Sequence, residues 1–523
     1  MSSTVAAQIM RQADAVKNTM SESGKAFSEL WVTRQKLEDL YKKMLLLDLE
    51  YALDKKVEQE LWNHAFKNQI NTLQTQAKDR QNPKKAEAQA SLNLFLETAS
   101  GFYLQFLQMI CSTFKLDLPF RRRSAAFGIM RENTINYKNI MTPKKSSCLY
   151  ICCHCLVHLG DIARYRQQME QAQTYYRHAA NLSPNNGQPY NQLAILEASR
   201  GDKLSTVFYY IRSLAVRHPF PVAATNLEKF YSKLIKDTRS DFDGANLTMS
   251  EIITAFLQFE ALLHMSTGLD RADSLKTKII TGLGNHIRSQ TVSSAHLTGI
   301  VAISVFALHR AQNDTTDSGD AVRKVNFSAD EKWCVQIHIA FSAKLLETML
   351  LHTPKEDNKA RDFLTLPAIK VLIDWLFLNK DVLQKKEFIN TSIWCDLCKL
   401  LNTLQWLLND SNKPVDVTNF EDTPLPEDTD LRCFQPLEPT YSCYNFSKAF
   451  SEDLTPARER DLRCQRLVAH GKWLAQDLSQ LKLVIYQPTK SIRNQFSTQK
   501  AAQATDNNQV PQKPPQRQNV AMQ

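Results

Sequence analysis

Glycine is scarce in this 523-residue chain, with 13 in all, about 2.5% against a usual share of about 7%. So few flexible positions favour helices over hairpins and tight turns. No run of about 18 or more apolar residues is present, and Met1 to Met20 carries Arg11, Asp14 and Lys17 where a secretory segment would be apolar. A soluble, intracellular protein with no membrane contact is expected. Catalytic patterns are absent as well: there is no Walker loop, no glycine-rich dinucleotide turn after a strand, no HExxH and no GxSxG. Gly282-Leu-Gly284 sits inside a helical pattern, and no spacing of acids singles out a metal-holding set. A non-enzyme without a cofactor is therefore expected.

Zinc signals are equally thin. Cys152-x-x-Cys155 with His154 and His158, and Cys395-x-x-Cys398, have the right local spacing, but the two pairs lie far apart in sequence. Cys152, Cys153 and Leu156 fall on one apolar helical stripe, where free cysteine acts as a small hydrophobe. No metal is expected. The formal charge of +10 is also localised: Pro119 to Ser147 carries +6 and Thr489 to Gln523 carries +4. The remainder is neutral, so only weak, non-specific phosphate or RNA contact by those two segments is expected.

What the chain does contain is a helical repeat. Leu156, Leu159, Gly160, Ala172, Tyr176, Ala179 and Pro184 occupy the signature positions of a tetratricopeptide-like hairpin, whose period is about 34 residues. Tyr190, Leu193, Ala194 and Tyr210 recur one period later, with Gly201 in the turn and Pro219 closing the unit. Ahead of the repeat, Leu37, Leu40, Tyr41, Met44 and Leu47 form one helical stripe, and Trp62, Phe66, Ile70 and Leu73 the next. A helix from Lys85 to Phe114 follows, then a flexible basic loop over 119–147. The repeat ends in a helix to Lys236. Beyond it, long apolar helices are expected near 249–265, 272–286, 295–312, 330–351, 368–378 and 388–408, and a last amphipathic helix near 456–483. Asp416 to Pro439 reads as irregular because of its prolines. The tail, 488–523, with eight Gln, reads as disordered. The expectation is an all-α chain with domains at 1–236 and 237–487.

Two cations stand out on committed helices. Opposite Trp62 and Phe66 lie Glu60, His64, Lys67 and Asn71. On the first repeat helix the stripe Leu149, Cys152, Cys153, Leu156, Leu159, Gly160 and Ala163 leaves Val157, Asp161, Arg164 and Gln168 on the other side. Asp161 precedes Arg164 by three residues and can fix its guanidinium beside Tyr165. Facing a lysine from another helix, such an arginine suits a phosphate; two solvated surface cations are the plainer alternative. Ala99-Ser100-Gly101, in mid-helix, hints at close approach of another backbone, from the same chain or from a partner.

The segments Leu53 to Lys67, His154 to Arg166 and Gly187 to Leu196 closely resemble the EST/SMG family of nonsense-mediated mRNA decay factors, in its seventh SMG branch. The resemblance covers about Gln8 to Leu483. It implies a 14-3-3-like N-terminal domain built partly from tetratricopeptide-type hairpins, followed by a domain of helical hairpins. It also implies a phosphoserine pocket at Lys67 and Arg164, supported by Tyr165 and Asn191. The implied ligand is a phosphorylated Ser-Gln segment of the surveillance RNA helicase, which the adaptor links to decay enzymes and a protein phosphatase. The resemblance further implies a heterodimer with a related SMG member through a surface holding Gly101, in the cytoplasm with nuclear shuttling and residence in mRNA-processing bodies. The nuclease-like domain of other members has no counterpart here. The branch's long Pro-rich region lies past Gln523, so a short isoform or fragment is expected. Two other functions stay open: a phosphate-independent repeat scaffold clamping a C-terminal carboxylate, and a telomerase-linked RNA-binding protein.

Overall fold

A computed structural model describes residues 2–21, 27–118, 140–236, 247–315, 321–323, 326–355, 358–389, 392–410, 421–447 and 454–498, except 482, 489, 492 and 493. Contacts divide the chain into two compact units, Met1–Asp202 with His218–Phe220, and Lys203–Arg217 with Pro221–Gln523.

The first unit is helical: α1 (Ser2–Ser21), α2 (Phe27–Leu47), α3 (Leu49–Asp54), α4 (Val57–Glu60), α5 (Asn68–Lys78), α6 (Lys85–Thr113), α7 (Lys145–Tyr165), α8 (Met169–Leu182) and α9 (Gly187–Arg200). Between α4 and α5 the helix widens into a π-helical segment, Leu61–Lys67. Short polar side chains set the starts. Asp48 accepts from Tyr51 N at 3.1 Å ahead of α3, and Asn186 from Gln188 N at 3.0 Å ahead of α9. Gly201, at φ +82°, ends α9 in the left-handed conformation that glycine adopts without strain.

α7 is the centre of this unit. It packs against α6, α8, α3 and α9, so every residue from Ile151 to Ala163 is buried. The expected amphipathic stripe is therefore corrected: Val157 and Asp161, read as outer-face residues, are 0% and 4% exposed, because neighbours cover the helix on all sides. Most of the 119–147 loop lies outside the described residues. Its end is ordered, with Lys144 N donating to Glu50 Oε1 at 2.8 Å, and Lys145 to Ser147 form the first turn of α7.

The second unit contains α10 (Lys203–Leu214), α11 (Val222–Lys236), α12 (Met249–Met265), α13 (Ala272–Arg288), α14 (Ser294–Gln312), α15 (Ala329–His352), α16 (Leu366–Leu378), α17 (Lys386–Ile389), α18 (Ile393–Asp410), α19 (Pro426–Asp430), α20 (Glu438–Tyr441) and α21 (Pro456–Asp477). The division by contacts falls at 202/203 rather than at 236, because α10 packs on α11, α12 and α14. Thr248 and Ser328 cap α12 and α15 in reciprocal boxes with Glu251 and Glu331. Two antiparallel pairs are the strands described: Asn313–Thr315 with Ala321–Arg323, and Ile485–Tyr486 with Phe496–Ser497. The latter corrects the tail. Phe496 is 3% exposed and its backbone bonds Asn402 in both directions at 2.8 Å, so order continues to residue 498. α7 and α15 are long and apolar enough to cross a membrane, yet both are largely buried in the fold.

Two glycines respond oppositely to a methyl group. A Cβ on Gly160 would sit 2.3 Å from the Tyr176 ring, which is 0% exposed and bonded through its hydroxyl. A Cβ on Gly101 would meet nothing within 4 Å. Gly160→Ala is expected to destabilise by about 1–2 kcal/mol, overpacking outweighing helix propensity. Gly101→Ala should stabilise by roughly 0.5–1 kcal/mol. Urea unfolding of the two variants checks both signs.

Candidate functional site

The π-helical segment turns two residue sets in opposite directions. Trp62 and Phe66 are buried, whereas Lys67, its last residue, is exposed. The Trp62 indole stacks on the His158 imidazole of α7 with centroids 3.9 Å apart and planes 15° from parallel. Tyr103 of α6 closes on both rings, at 6.0 Å and 5.6 Å. This aromatic joint fixes the Lys67 segment against α7. π-helical turns recur at functional sites, and here the turn delivers a cation beside a buried polar cluster.

That cluster is built on Asp161. Its carboxylate meets His158 Nδ1 at 3.2 Å, Arg164 Nη2 at 3.3 Å and the donating Tyr176 hydroxyl at 2.8 Å. Arg164 Nε also donates to the Tyr176 oxygen at 3.4 Å. Burial alone would raise the Asp161 carboxyl, but His158, Arg164 and Tyr176 together hold it below its usual value. His158 is pulled down, chiefly by burial and further by the Lys67 ammonium, against the opposing pull of Asp161. The imidazole is thus neutral at physiological pH, and Arg164 is the cation that balances Asp161.

Lys67 and Arg164, from separate elements, both act on the His158–Asp161 pair. The Arg164 side chain is 24% exposed, held from behind while offering its outer edge, and its guanidinium lies 4.8 Å from the Tyr165 ring centre. Asn191 lies in the interior, 2% exposed on α9. Gly101 is exposed on α6, so no backbone of its own unit explains the small residue there. The sequence reading left Trp62, His158 and Tyr176 without a site role; the three-residue step from His158 to Asp161 was the available signal. Cys152, Cys153 and Cys155 are buried free thiols in α7, whereas in the second pair Cys398 is buried and Cys395 exposed; among the described residues no three His, Cys, Asp or Glu side chains gather to hold a metal.

Residues 56–170 match the family model described as telomerase activating protein Est1, and residues 172–440 match the Est1 DNA/RNA binding domain. The chain belongs to the EST1/SMG family. It is 44% identical over 487 residues to the nonsense-mediated mRNA decay factor SMG7 of Danio rerio, covering 91% of this chain and 40% of that protein. The chain thus spans less than half the length of that relative. A chain in the crystal structure of Est1 and Cdc13 superposes with a TM-score of 0.65 at 16% identity, covering 94% of this chain and 99% of that one. One in the C. elegans SMG5-SMG7 complex gives 0.54 at 14% identity, covering 88% and 98%. At these identities the likeness concerns the fold, an all-helical 14-3-3-like and tetratricopeptide-type architecture.

The buried histidines give this EST1/SMG unit a pH signature. His154, whose Nε2 lies 3.1 Å from the Glu58 carbonyl oxygen, is held well below its usual value by burial and by His158. A group whose folded value is depressed contributes stability above its unfolded value, about 6.5, and loses it as pH falls. His154→Gln, which keeps a donor but does not titrate, is therefore expected to lose stability against the parent at pH 7.5 and to recover relative to it at pH 5. Urea midpoints of both proteins at the two pH values test this.

Proposed function

We propose that this chain is a non-enzymatic adaptor of nonsense-mediated mRNA decay that reads phosphoserine through Lys67 and Arg164 in the cytoplasm. The observation that carries the reading is a partly exposed Arg164 pre-fixed on Asp161, together with an exposed Lys67 whose charge acts on His158, the imidazole bonded to that same Asp161. A phosphoserine carries about −1.5 to −2 charges and three strong acceptors. A guanidinium already oriented by a carboxylate loses little further freedom on meeting it. Tyr165 and Asn191 are assigned supporting roles, and a phosphorylated Ser-Gln segment of the surveillance helicase is the proposed ligand. Similarity to SMG7 supports the pathway, with decay enzymes and a phosphatase as downstream partners.

The geometry alters the mutational test. Arg164→Glu would set a second carboxylate beside buried Asp161, so lost binding would be confounded with lost folding. Lys67→Glu avoids this, because the head is exposed. It is expected to weaken binding of a phospho-Ser-Gln peptide by at least about 30-fold with little change in thermal midpoint. Arg164→Gln supplies the second arm. Calorimetry with phosphorylated and plain peptides decides: equal affinity for the two peptides, or an unaffected Lys67→Glu variant, removes the pocket.

We further assign the exposed face of α6 to a heterodimer with a related SMG member. Leu94 is 63% and Leu104 47% exposed, and they flank Gly101 on one side of the helix. A partner helix can approach closely where Gly101 lacks a side chain. Leu94→Arg with Gly101→Arg is expected to abolish co-elution with a purified SMG5-type N-terminal domain while leaving phosphopeptide affinity within about twofold.

Two other readings are opposed. The carboxylate clamp would need open groups at Val157 and Asp161, and both are buried. A nucleic-acid strand would favour a basic surface, whereas residues 172–440 carry 28 Lys and Arg against 31 Asp and Glu.

A further inference from the structure

The second unit contains a cavity of about 390 Å³ between α11, α12, α14 and α15. That size suits a small polar ligand or a single side chain. At its floor lies Glu260, 2% exposed. One Glu260 oxygen accepts from Ser304 Oγ at 3.3 Å, and the other is 3.9 Å from His338 Nε2, beyond hydrogen-bond reach. His338 is 4% exposed, also lines the cavity, and its Nδ1 has no partner. A buried carboxyl without a cation, at the bottom of an open cavity, is an unmet electrostatic demand.

The lining is mixed, with Ser266, Asn313 and Glu331 among its polar residues and an apolar strip along one part. Leu263, Ile303, Phe306 and Ala307 form that strip, with the Tyr231 ring also in the lining. Arg310, exposed, also lines the cavity, its Nη1 lying 3.2 Å from the His264 ring nitrogens. We propose that this cavity receives a primary ammonium or guanidinium on an aliphatic stem, with the charged head on Glu260 and the stem along Leu263, Ile303 and Phe306. Lysine and arginine side chains have this shape, an apolar stem ending in a charge. Arg310 then faces the acceptor end of the ligand, a backbone carbonyl or a carboxylate. An anionic ligand fits less well, since its charge would approach Glu260.

The site carries its own pH signature. Burial pushes Glu260 up to about 8, with the Ser304 hydrogen bond acting the other way. Around it, burial holds His338 near 3, and burial together with Arg310 holds His264 near 4, so both stay neutral. Burial and Glu260 keep the Tyr231 phenol protonated, and burial does the same for the Cys334 thiol. Glu331, on the rim, is engaged in capping α15. Glu260 is thus the titrating group that faces the ligand. It must release its proton to water when the cation enters, and apparent affinity scales with its ionised fraction.

Agmatine and cadaverine, titrated into the full chain by NMR between pH 6 and 9, provide the test. A short Gly/Ala peptide carrying one arginine forms a parallel arm that separates a free amine from a partner's side chain. Binding is expected to tighten roughly tenfold per pH unit up to about pH 7.5 and to level above pH 8. Glu260→Gln, nearly isosteric, should abolish that dependence and weaken binding at least about tenfold. Ser304→Ala should keep binding but move the levelling point to higher pH. Either arm binding in this way upholds the site and names the source of the cation. No binding by any probe at about 10 mM, pH-independent affinity, or an unaffected Glu260→Gln variant overturns it.

Discussion

Asp161 is a carboxylate taken almost wholly out of water, and the architecture of the first unit follows from keeping it satisfied. An isolated buried charge would cost several kcal/mol, so each of its neighbours is constrained. The Tyr176 hydroxyl must reach it, which fixes how α8 lies on α7. Gly160 must then stay bare, because the Tyr176 ring occupies the space of a Cβ. His158 must present Nδ1 to it, which turns the imidazole flat against Trp62 and ties the π-helical segment to α7. Arg164 neutralises it from the rim. The repeat signature Gly160…Tyr176, a packing motif in the sequence, is thus also the support of a charged site.

The helices were largely legible in the sequence, since scarce glycine and a 3.6-residue apolar rhythm mark them directly. The repeat signature included both Gly160 and Tyr176, which the fold brings into contact. Periodicity failed on α7, where it predicted an outer face at Val157 and Asp161. A helix covered from four directions has no outer face, and an isolated helical wheel cannot register how many neighbours will arrive. The candidate cations were legible as residue types, but the exposure of Arg164 was overestimated for the same reason. The tail was misjudged at its start: Gln-rich composition dominated the reading, while Phe496 finds a place beside Leu401 and Gly471 through contacts distant in sequence.

Proline misled in the second unit. The prolines of Asp416 to Pro439 argued for irregular structure, yet Pro426 stands at the first turn of α19, where its missing N–H costs nothing. That short turn carries Glu427 and Asp428 into the interior. Glu427 receives a two-pronged contact from Arg463 at 2.7 and 2.8 Å, and Asp428 binds Lys370 and Arg466. Lys370, 0% exposed, also pairs with Asp374 at 2.8 Å, and Asp374 with His470 at 3.0 Å. Charges in a segment read as irregular are therefore its anchor. Such a network adds little to stability over apolar packing, but removing one member would strand the rest, so it enforces one arrangement of the segment.

The two units handle buried carboxyls in contrasting ways, and the contrast bears on function. Asp161 has its cation built in, so the protein holds a fixed guanidinium whose outer edge is left for an external anion. Glu260 lacks a built-in cation and is held toward its protonated form by burial, so the proposed external cation would enter by displacing that proton. Under the two proposals, the first arrangement would recognise a dianion without reorganising, and the second would make recognition conditional on pH. Lys67 adds charge to the first site without sharing its rigidity, since its ammonium is exposed at the end of a π-helical turn. In the proposed pocket, long-range attraction would fall to Lys67 and directional hydrogen bonding to Arg164, a division of labour that follows from the difference between a solvated point charge and a planar fork held from behind.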